Sequence, residues 1–225
     1  MKLFGNRLEN HSKRELNYRV IIGLIILFSL STFKFYDSNF LESLGERKIF
    51  SKIDRIVVAK LVPDRSFIGK REQEEWAGEI SRILKAASGI FEREFGIRII
   101  GGDFEIWRDA AEMADIKKLL RDVKYGPCDV IICFTKRELD FDDKVSLGLS
   151  IEKAVILKSG NNLKEQRQIL AHEIAHLFFA QDYNGKGLMN FSIEESNEEI
   201  DILNWRIIIR NKYRDFHKYD WLPFL

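Results

Sequence analysis

Two histidines and a glutamate stand close together in the segment from Leu170 to Phe178. His172 and His176 are two of the four histidines of the chain, and Glu173 lies between them. Residues four apart on a helix project from the same face, one turn above the other. Two neutral imidazoles at that spacing can share one zinc ion, and Glu173 then lies beside the metal without binding it. The sequence therefore predicts a zinc site built on a helix.

The residues around this motif have the spacing of a helix with one buried face. Leu170, Ile174, Leu177 and Phe178 form the apolar stripe that such a helix turns towards a core. We therefore predict that a helix over residues 163–180 carries the two histidines. A second interpretation is a buried helix whose histidines only form hydrogen bonds within the core, and the spacing alone leaves both open.

The chain beyond the helix supplies another acidic residue and a methionine. Asp182 lies six residues after His176, and a short polar loop over residues 183–187 leads to Met189. This arrangement resembles the metzincin clan of zinc metalloproteases, whose motif reads H-E-x-x-H-x-x-G-x-x-H/D and is followed by a turn containing a methionine. The resemblance implies that Asp182 joins the two histidines as the third zinc ligand. It also implies that Glu173 is the general base and that Met189 is the methionine of the turn.

One position departs from the motif of the clan. Metzincins have a glycine where this chain has Phe179, and that glycine lets the backbone leave the helix sharply. A phenylalanine resists the positive φ angle of such a turn. We therefore expect the turn towards Asp182 to be made in a different way.

The resemblance implies an enzyme that acts on a peptide or protein substrate. Such an endopeptidase hydrolyses peptide bonds with a zinc-bound water, from which Glu173 takes a proton. Two alternatives stay open. In a gluzincin-type zinc peptidase, Glu198 would replace Asp182 as the third ligand. In the other alternative, which Phe179 favours, the domain is a catalytically inactive metzincin-like module that binds peptides or partners.

The amino-terminal region differs in composition from the rest of the chain. Residues 1–19 are rich in lysine and arginine, and an uncharged apolar run comes next, over residues 20–33. A basic flank before an apolar run stays in the cytoplasm, and the chain after the flank is sent across the membrane. We therefore predict a basic cytoplasmic flank at 1–19, a transmembrane signal-anchor or signal peptide at 20–36 and a stalk at 37–51. The catalytic domain, 52–225, is then extracytoplasmic on a single-pass protein of the cell membrane, or secreted if the segment is cleaved.

The overall composition bears on the partners of the protein. The chain has 36 basic and 35 acidic residues and a net charge of +1, so it indicates no nucleic-acid surface. With 225 residues, of which 45% are hydrophobic, it can bury one sizeable core. The expected partners are a peptide or protein substrate and, through the N-terminal segment, a membrane. Nothing in the sequence indicates the oligomeric state.

The elements that must position the motif alternate between strands and helices. Strands are predicted at 53–62, 97–107, 129–135, 144–149 and 153–158, and helices at 72–95, 109–123, 163–180 and 192–214. This order is similar to that of the metzincins. The resemblance implies an α+β fold with a mixed twisted sheet, an active-site helix and a C-terminal helix. It also implies that the edge strand, extended to residue 150, lies beside the bound peptide above the zinc.

Overall fold

The computed structural model of the chain describes residues 52–108, 112–139, 146–160, 162–190 and 198–218. The predicted cytoplasmic flank, membrane segment and stalk lie outside these ranges. Among the residues that are described, no helix has the length and apolar character needed to cross a membrane. The membrane segment and the location of the domain therefore stay predictions.

A five-stranded sheet forms the centre of the described domain. The strands of the chain are β1 (Arg55–Pro63), β2 (Ile97–Phe104), β3 (Met113–Ala114), β4 (Val130–Thr135), β5 (Glu138–Leu139), β6 (Gly148–Ile151) and β7 (Ala154–Lys158). The central sheet has the order β2-β1-β4-β7-β6, and β3 pairs separately with β5. Its pairings are parallel except that of β6 with β7, which is antiparallel and leaves β6 at one edge. The sheet is mixed, as predicted, but because it is mostly parallel the fold is nearer to the α/β class than to α+β.

Helices lie on both faces of this sheet. They are α1 (Arg65–Ile68), α2 (Gln73–Phe95), α3 (Ile116–Asp122), α4 (Leu163–Leu177) and α5 (Ile202–Arg210). Helix α2 starts at Gln73, one residue after the predicted start, and ends at Phe95 as predicted. It ends there because Gly96 comes directly after it with a φ of 65°, the left-handed conformation that ends many helices. Helix α4 carries the histidine motif, and its position decides the geometry of the site.

The two faces of the sheet bury alternate residues of the strands. Ala59 and Leu61 of β1 belong to one apolar cluster with side chains of α2 and α4. Val62 of β1 belongs to a second cluster with Leu119 of α3. All six residues of β4 are buried, as expected for a strand covered on both sides. Helix α4 is thus held against the sheet through its apolar stripe.

Helices α3 and α5 begin later than the sequence pattern indicates. An aspartate precedes each of them and accepts a backbone hydrogen bond from its first turn, Asp115 before α3 and Asp201 before α5. These caps satisfy backbone donors that a longer helix would pair internally, so each helix starts at its aspartate. The predicted starts at 109 and 192 lie outside the described residues, but the described residues 198–200 are not helical.

Two predicted strands also have different limits. The strand predicted at 97–107 ends at Phe104. The edge strand predicted to start at residue 144 pairs with β7 only from Gly148 to Ile151. Residues 144 and 145 lie outside the described residues.

Candidate metal centre

Helix α4 presents His172 and His176 on one side, towards the loop that comes after it. Asn162 caps the helix by accepting a hydrogen bond from the Lys164 N–H at 2.9 Å. On the opposite side, apolar residues such as Ile174 are buried in the core. The two imidazole rings lie 4.7 Å apart between centroids, with their planes at 84°. The helical face predicted from the spacing is therefore present.

Backbone carbonyl groups fix the orientation of both imidazoles. His172 Nδ1 lies 2.9 Å from the carbonyl oxygen of Leu188, and His176 Nδ1 lies 2.7 Å from that of Ala180. A carbonyl oxygen only accepts hydrogen bonds, so each Nδ1 carries a proton. In the neutral ring, Nε2 then holds a free lone pair, which is the form that binds metals.

The helix ends in a Schellman turn that brings the chain back towards the histidines. Its last residue is Leu177, so it is shorter than the predicted 163–180. The Phe179 N–H donates to the His176 carbonyl at 2.8 Å, and the Ala180 N–H donates to the Ala175 carbonyl at 3.2 Å. These two bonds define the motif, which requires a left-handed residue between them.

Phe179 is that left-handed residue. Its φ is +67°, the conformation that a glycine adopts most readily. The expectation that a phenylalanine would force a different turn is therefore wrong. The guanidinium of Arg214 lies 4.3 Å above the Phe179 ring and donates a hydrogen bond to the Leu177 carbonyl. These contacts stabilise a backbone conformation that the side chain itself disfavours.

Asp182 lies directly opposite the two imidazoles. Its Oδ1 is 3.2 Å from His172 Nε2 and 3.4 Å from His176 Nε2, and the two Nε2 atoms are 3.1 Å apart. Hydrogen bonds with His172 and His176 hold the pKa of the Asp182 carboxyl well below its usual range. Burial lowers the pKa of His176, but Asp182 and the charge of Glu173 outweigh it, and the net shift is upward. The site therefore favours a positive charge, a proton or a metal ion, between these three atoms.

Glu173 is buried beside this group, with 7% of its surface exposed. Its Oε2 accepts a hydrogen bond from the Ser150 hydroxyl of β6 at 2.8 Å. Burial raises the pKa of the Glu173 carboxyl, against the opposing effects of His172, His176 and Ser150. A buried carboxylate fixed next to three convergent ligand atoms is suited to exchanging a proton with a small molecule bound there.

The edge strand approaches Glu173 so closely that only a glycine fits at position 148. A Cβ at Gly148 would lie 2.6 Å from Glu173 Cγ and 2.8 Å from Ile169 Cγ2. A glycine inside a strand can mark a bulge, but the pairing of β6 with β7 is regular there. A glycine inside a strand also indicates close approach of a neighbour, and that signal points to Gly148 and Ser150 as part of the site.

The loop after Asp182 packs beneath the histidines. Met189 is buried, and its carbonyl accepts a hydrogen bond from the Tyr183 N–H at 2.8 Å. The preceding residue, Leu188, provides the carbonyl that orients His172. Asn204 of α5, which the sequence pattern does not single out, binds the backbone of Gln181 with both ends of its amide.

Glu198, the alternative third ligand, has other partners. Its carboxylate pairs with the guanidinium of Arg167 and lies 3.5 Å from Arg93 Nη2. Within the described ranges, the one group of histidine, cysteine or acidic side chains suited to a metal is His172, His176 and Asp182.

This donor set matches the chemistry of zinc. Zinc binds imidazole nitrogen and carboxylate oxygen, with four ligands in a tetrahedron. Ligand atoms at zinc distances lie about 3.3–3.6 Å from one another along a tetrahedron edge. The three separations here are 3.1, 3.2 and 3.4 Å, so His172, His176 and Asp182 fit a zinc ion with small adjustments and leave a fourth position.

Comparison with known proteins gives a fold but no sequence relative. No protein-family model and no curated protein matches the sequence. Among solved structures, the chain is similar to archaemetzincin from Methanopyrus kandleri, with a TM-score of 0.55 and 15% identity over 73% of this chain and 100% of that one. The fold is metzincin-like. At this identity the similarity concerns the fold alone, and the chemistry is inferred from the residues of the site.

Two other solved structures are also similar. Metalloproteinase-II from Bacteroides fragilis matches with a TM-score of 0.48 and 15% identity, over 71% of this chain and 54% of that one. A chain from the structure of a chaperone–substrate complex matches with a TM-score of 0.52 and 9% identity, over 73% of this chain and 35% of that one.

Proposed function

We propose that this protein is a zinc-dependent endopeptidase of the metzincin type. In this proposal His172, His176 and Asp182 bind the metal, Glu173 is the general base and Met189 is the methionine of the turn below the site. The observation that carries it is the convergence of His172 Nε2, His176 Nε2 and Asp182 Oδ1 within 3.1–3.4 Å of one another, beside a buried glutamate. The metzincin-like fold agrees with it.

The residues around Glu173 explain how a peptide bond would be cleaved. Zinc supplies a Lewis acid that polarises a carbonyl group and lowers the pKa of water. Ser150 holds Glu173 Oε2, and we assign the proton transfer to Oε1. Glu173 takes the proton of the attacking water there and then donates it to the amine that leaves. The Nδ1 hydrogen bonds keep both imidazoles in the tautomer that binds a metal.

The substrate would be an extended peptide lying along β6. This strand is at the edge of the sheet and antiparallel to β7, and an edge strand can pair with an added segment. Gly148 and Ser150 of β6 contact or approach Glu173. A peptide paired with β6 would therefore pass close to the base.

Within the described part of the chain, neither alternative function has an observation in its favour. The ion pairs of Glu198 with Arg167 and Arg93 weigh against its use as a ligand. The argument for an inactive binding module is Phe179, but its φ of +67° is the conformation of the glycine that it replaces.

Replacement of the base tests the proposal. The full chain with Glu173→Gln should retain zinc, but its turnover of a casein-type substrate should fall by about 10²–10⁴-fold because the proton acceptor is lost. Glu165→Gln, a glutamate in the first turn of the same helix, is the matched control and should retain activity. Undiminished turnover by Glu173→Gln would show that Glu173 is not the general base. A wild-type chain that contains no zinc would contradict the proposed metal site.

We further propose that residues 20–36 anchor the protein and that the catalytic domain is extracytoplasmic. The support is the basic flank before an uncharged apolar run. Protease added to intact cells should then digest the domain, with lysed cells as the control for complete digestion. Protection of the domain until the cells are lysed would argue for a cytoplasmic enzyme.

A further inference from the structure

Asp182, the third ligand of the proposed site, is the ligand least enclosed by neighbouring residues. The side chain of Asp182 is 40% exposed, whereas those of His172 and His176 are 16% and 24% exposed. Asp182 also lies beyond the end of α4, so helical hydrogen bonds do not fix it. Its position therefore depends on the contacts that hold the backbone on either side of it.

The backbone before Asp182 is held by one side chain of the C-terminal helix. Asn204 Oδ1 accepts a hydrogen bond from the Gln181 N–H at 2.7 Å, and Asn204 Nδ2 donates to the Gln181 carbonyl at 2.8 Å. Both polar groups of a single backbone residue are thus bound by one amide. The backbone after Asp182 is held by the Tyr183 N–H bond to the Met189 carbonyl.

The amide of Asn204 is itself fixed in one orientation. It is buried, with 4% of its surface exposed. Asp201 Oδ2 accepts a second hydrogen bond from Asn204 Nδ2 at 2.7 Å, and Asp201 Oδ1 accepts from the Asn204 N–H at 2.9 Å. A flipped amide would place its oxygen against the Asp201 carboxylate and the Gln181 carbonyl, so the observed orientation is the favourable one.

We infer that Asn204 is a positioning residue for the metal site. By binding the backbone next to Asp182, Asn204 holds the Asp182 carboxylate within reach of His172 and His176. The inference rests on the proposed function, since it requires Asp182 to be a ligand. Residues that orient a metal ligand without touching the metal contribute to metal affinity, and their mutation typically weakens it by about 10–100-fold. Asn204 would be such a residue, although it lies 23 residues after Gln181 in the sequence.

The test compares zinc binding by the full chain and its variants in competition with a chelator. Asn204→Ala should weaken zinc binding by about 10–100-fold, as expected for loss of a residue that orients a ligand. Asn211→Ala is the matched control, because the Asn211 amide donates to the Ile207 carbonyl of the same helix at 2.8 Å, and its affinity should equal that of the wild type.

Cobalt in place of zinc provides a readout that a loss of fold stability alone would not move. The visible spectrum of bound cobalt reports its ligands, so the spectrum of Asn204→Ala should shift in the same direction as that of Asp182→Ala. Asn204→Gln, which keeps both the acceptor and the donor on a side chain one methylene longer, should show a smaller shift. It also keeps the test decisive where Asn204→Ala does not fold.

The outcomes distinguish a failure of this inference from a failure of the proposed function on which it rests. Wild-type affinity and a wild-type cobalt spectrum in both Asn204 variants, with weakened zinc binding by Asp182→Ala, overturn the role of Asn204 alone. A wild-type chain that binds no zinc overturns the proposed function and this inference together.

Discussion

The candidate metal centre has two sides that are built differently. On the helix side, His172, Glu173 and His176 lie within five consecutive residues of α4, and the helical repeat alone places the two imidazoles on one face. On the loop side, Asp182 and Met189 lie beyond the end of α4, in a described segment that is neither helix nor strand. Their positions depend on contacts with other parts of the molecule.

The geometry of the helix side depends on contacts from the loop side. The loop side orients the helix side, because the carbonyl groups of Leu188 and Ala180 bind the Nδ1 atoms of the histidines. The loop side is in turn held from the C-terminal region, by Asn204 at Gln181 and by the Glu199 carbonyl, which accepts from the Leu188 N–H at 2.6 Å. A site with two proposed ligands on one helix thus still relies on distant residues for its final geometry.

The largest effect is expected from removing a ligand on the helix side. His172→Ala or His176→Ala in the full chain should abolish stoichiometric zinc binding, because one nitrogen and one carboxylate are too few to hold the metal through dialysis. His217→Ala is the matched control, since this histidine is 49% exposed and its nearest ion-pair partner is Asp129. Metal analysis after dialysis gives the result, and equal zinc in all variants would refute the site.

A comparison of two carboxylates tests the loop side. Asp182→Ala should weaken zinc binding well beyond the 10–100-fold typical of residues that only orient a ligand, because it removes an atom bound to the metal. Glu198→Ala should leave zinc affinity unchanged, since the partners of Glu198 are Arg167 and Arg93. Loss of metal from Glu198→Ala but not from Asp182→Ala would instead support the gluzincin-type arrangement.

The difference between the two sides also explains which features the sequence could predict. The histidine motif, the buried strand β4 and the end of α2 depend on periodic patterns and a terminal glycine, which are local. The contact of the Asn204 amide with Gln181 is not visible in this way, because it depends on which residues meet after folding. A positive φ at Phe179 is unfavourable by local reasoning, which gives no sign of the contacts from Arg214 that support it.

A smaller effect is expected where a strand distant in sequence touches the helix side. Gly148→Ala would place a methyl group 2.6 Å from Glu173 Cγ and 2.7 Å from Glu173 Oε1, so Glu173, the proposed base, must move. A displacement of that kind should lower peptidase turnover by about 10–100-fold, while zinc remains bound. Gly160→Ala is the matched control, because its nearest contact would be 3.6 Å away. Full activity of Gly148→Ala would show that β6 does not constrain Glu173.

The smallest effect concerns the turn that joins the two sides, and it depends on a comparison of Phe179→Gly with Phe179→Ala. Both variants lose the ring beneath Arg214, so their difference reports the backbone. At a φ of +67°, an alanine is strained and a glycine is not, which should make the glycine variant more stable by about 1 kcal/mol. The free energy of unfolding in urea, measured on metal-free chains, gives this difference without any contribution from zinc.

The same measurement on an ordinary helical residue should give the opposite order. Ala86 lies inside α2, and there glycine is less favourable than alanine by about 1 kcal/mol, so Ala86→Gly should be less stable than the wild type. If Phe179→Ala is as stable as Phe179→Gly, the residue does not hold the left-handed conformation, and the turn that carries Asp182 to the histidines is made elsewhere. If glycine is favoured at position 179 and disfavoured at position 86, Phe179 holds the left-handed conformation, and the chain makes the sharp turn towards Asp182 with a phenylalanine in place of a glycine.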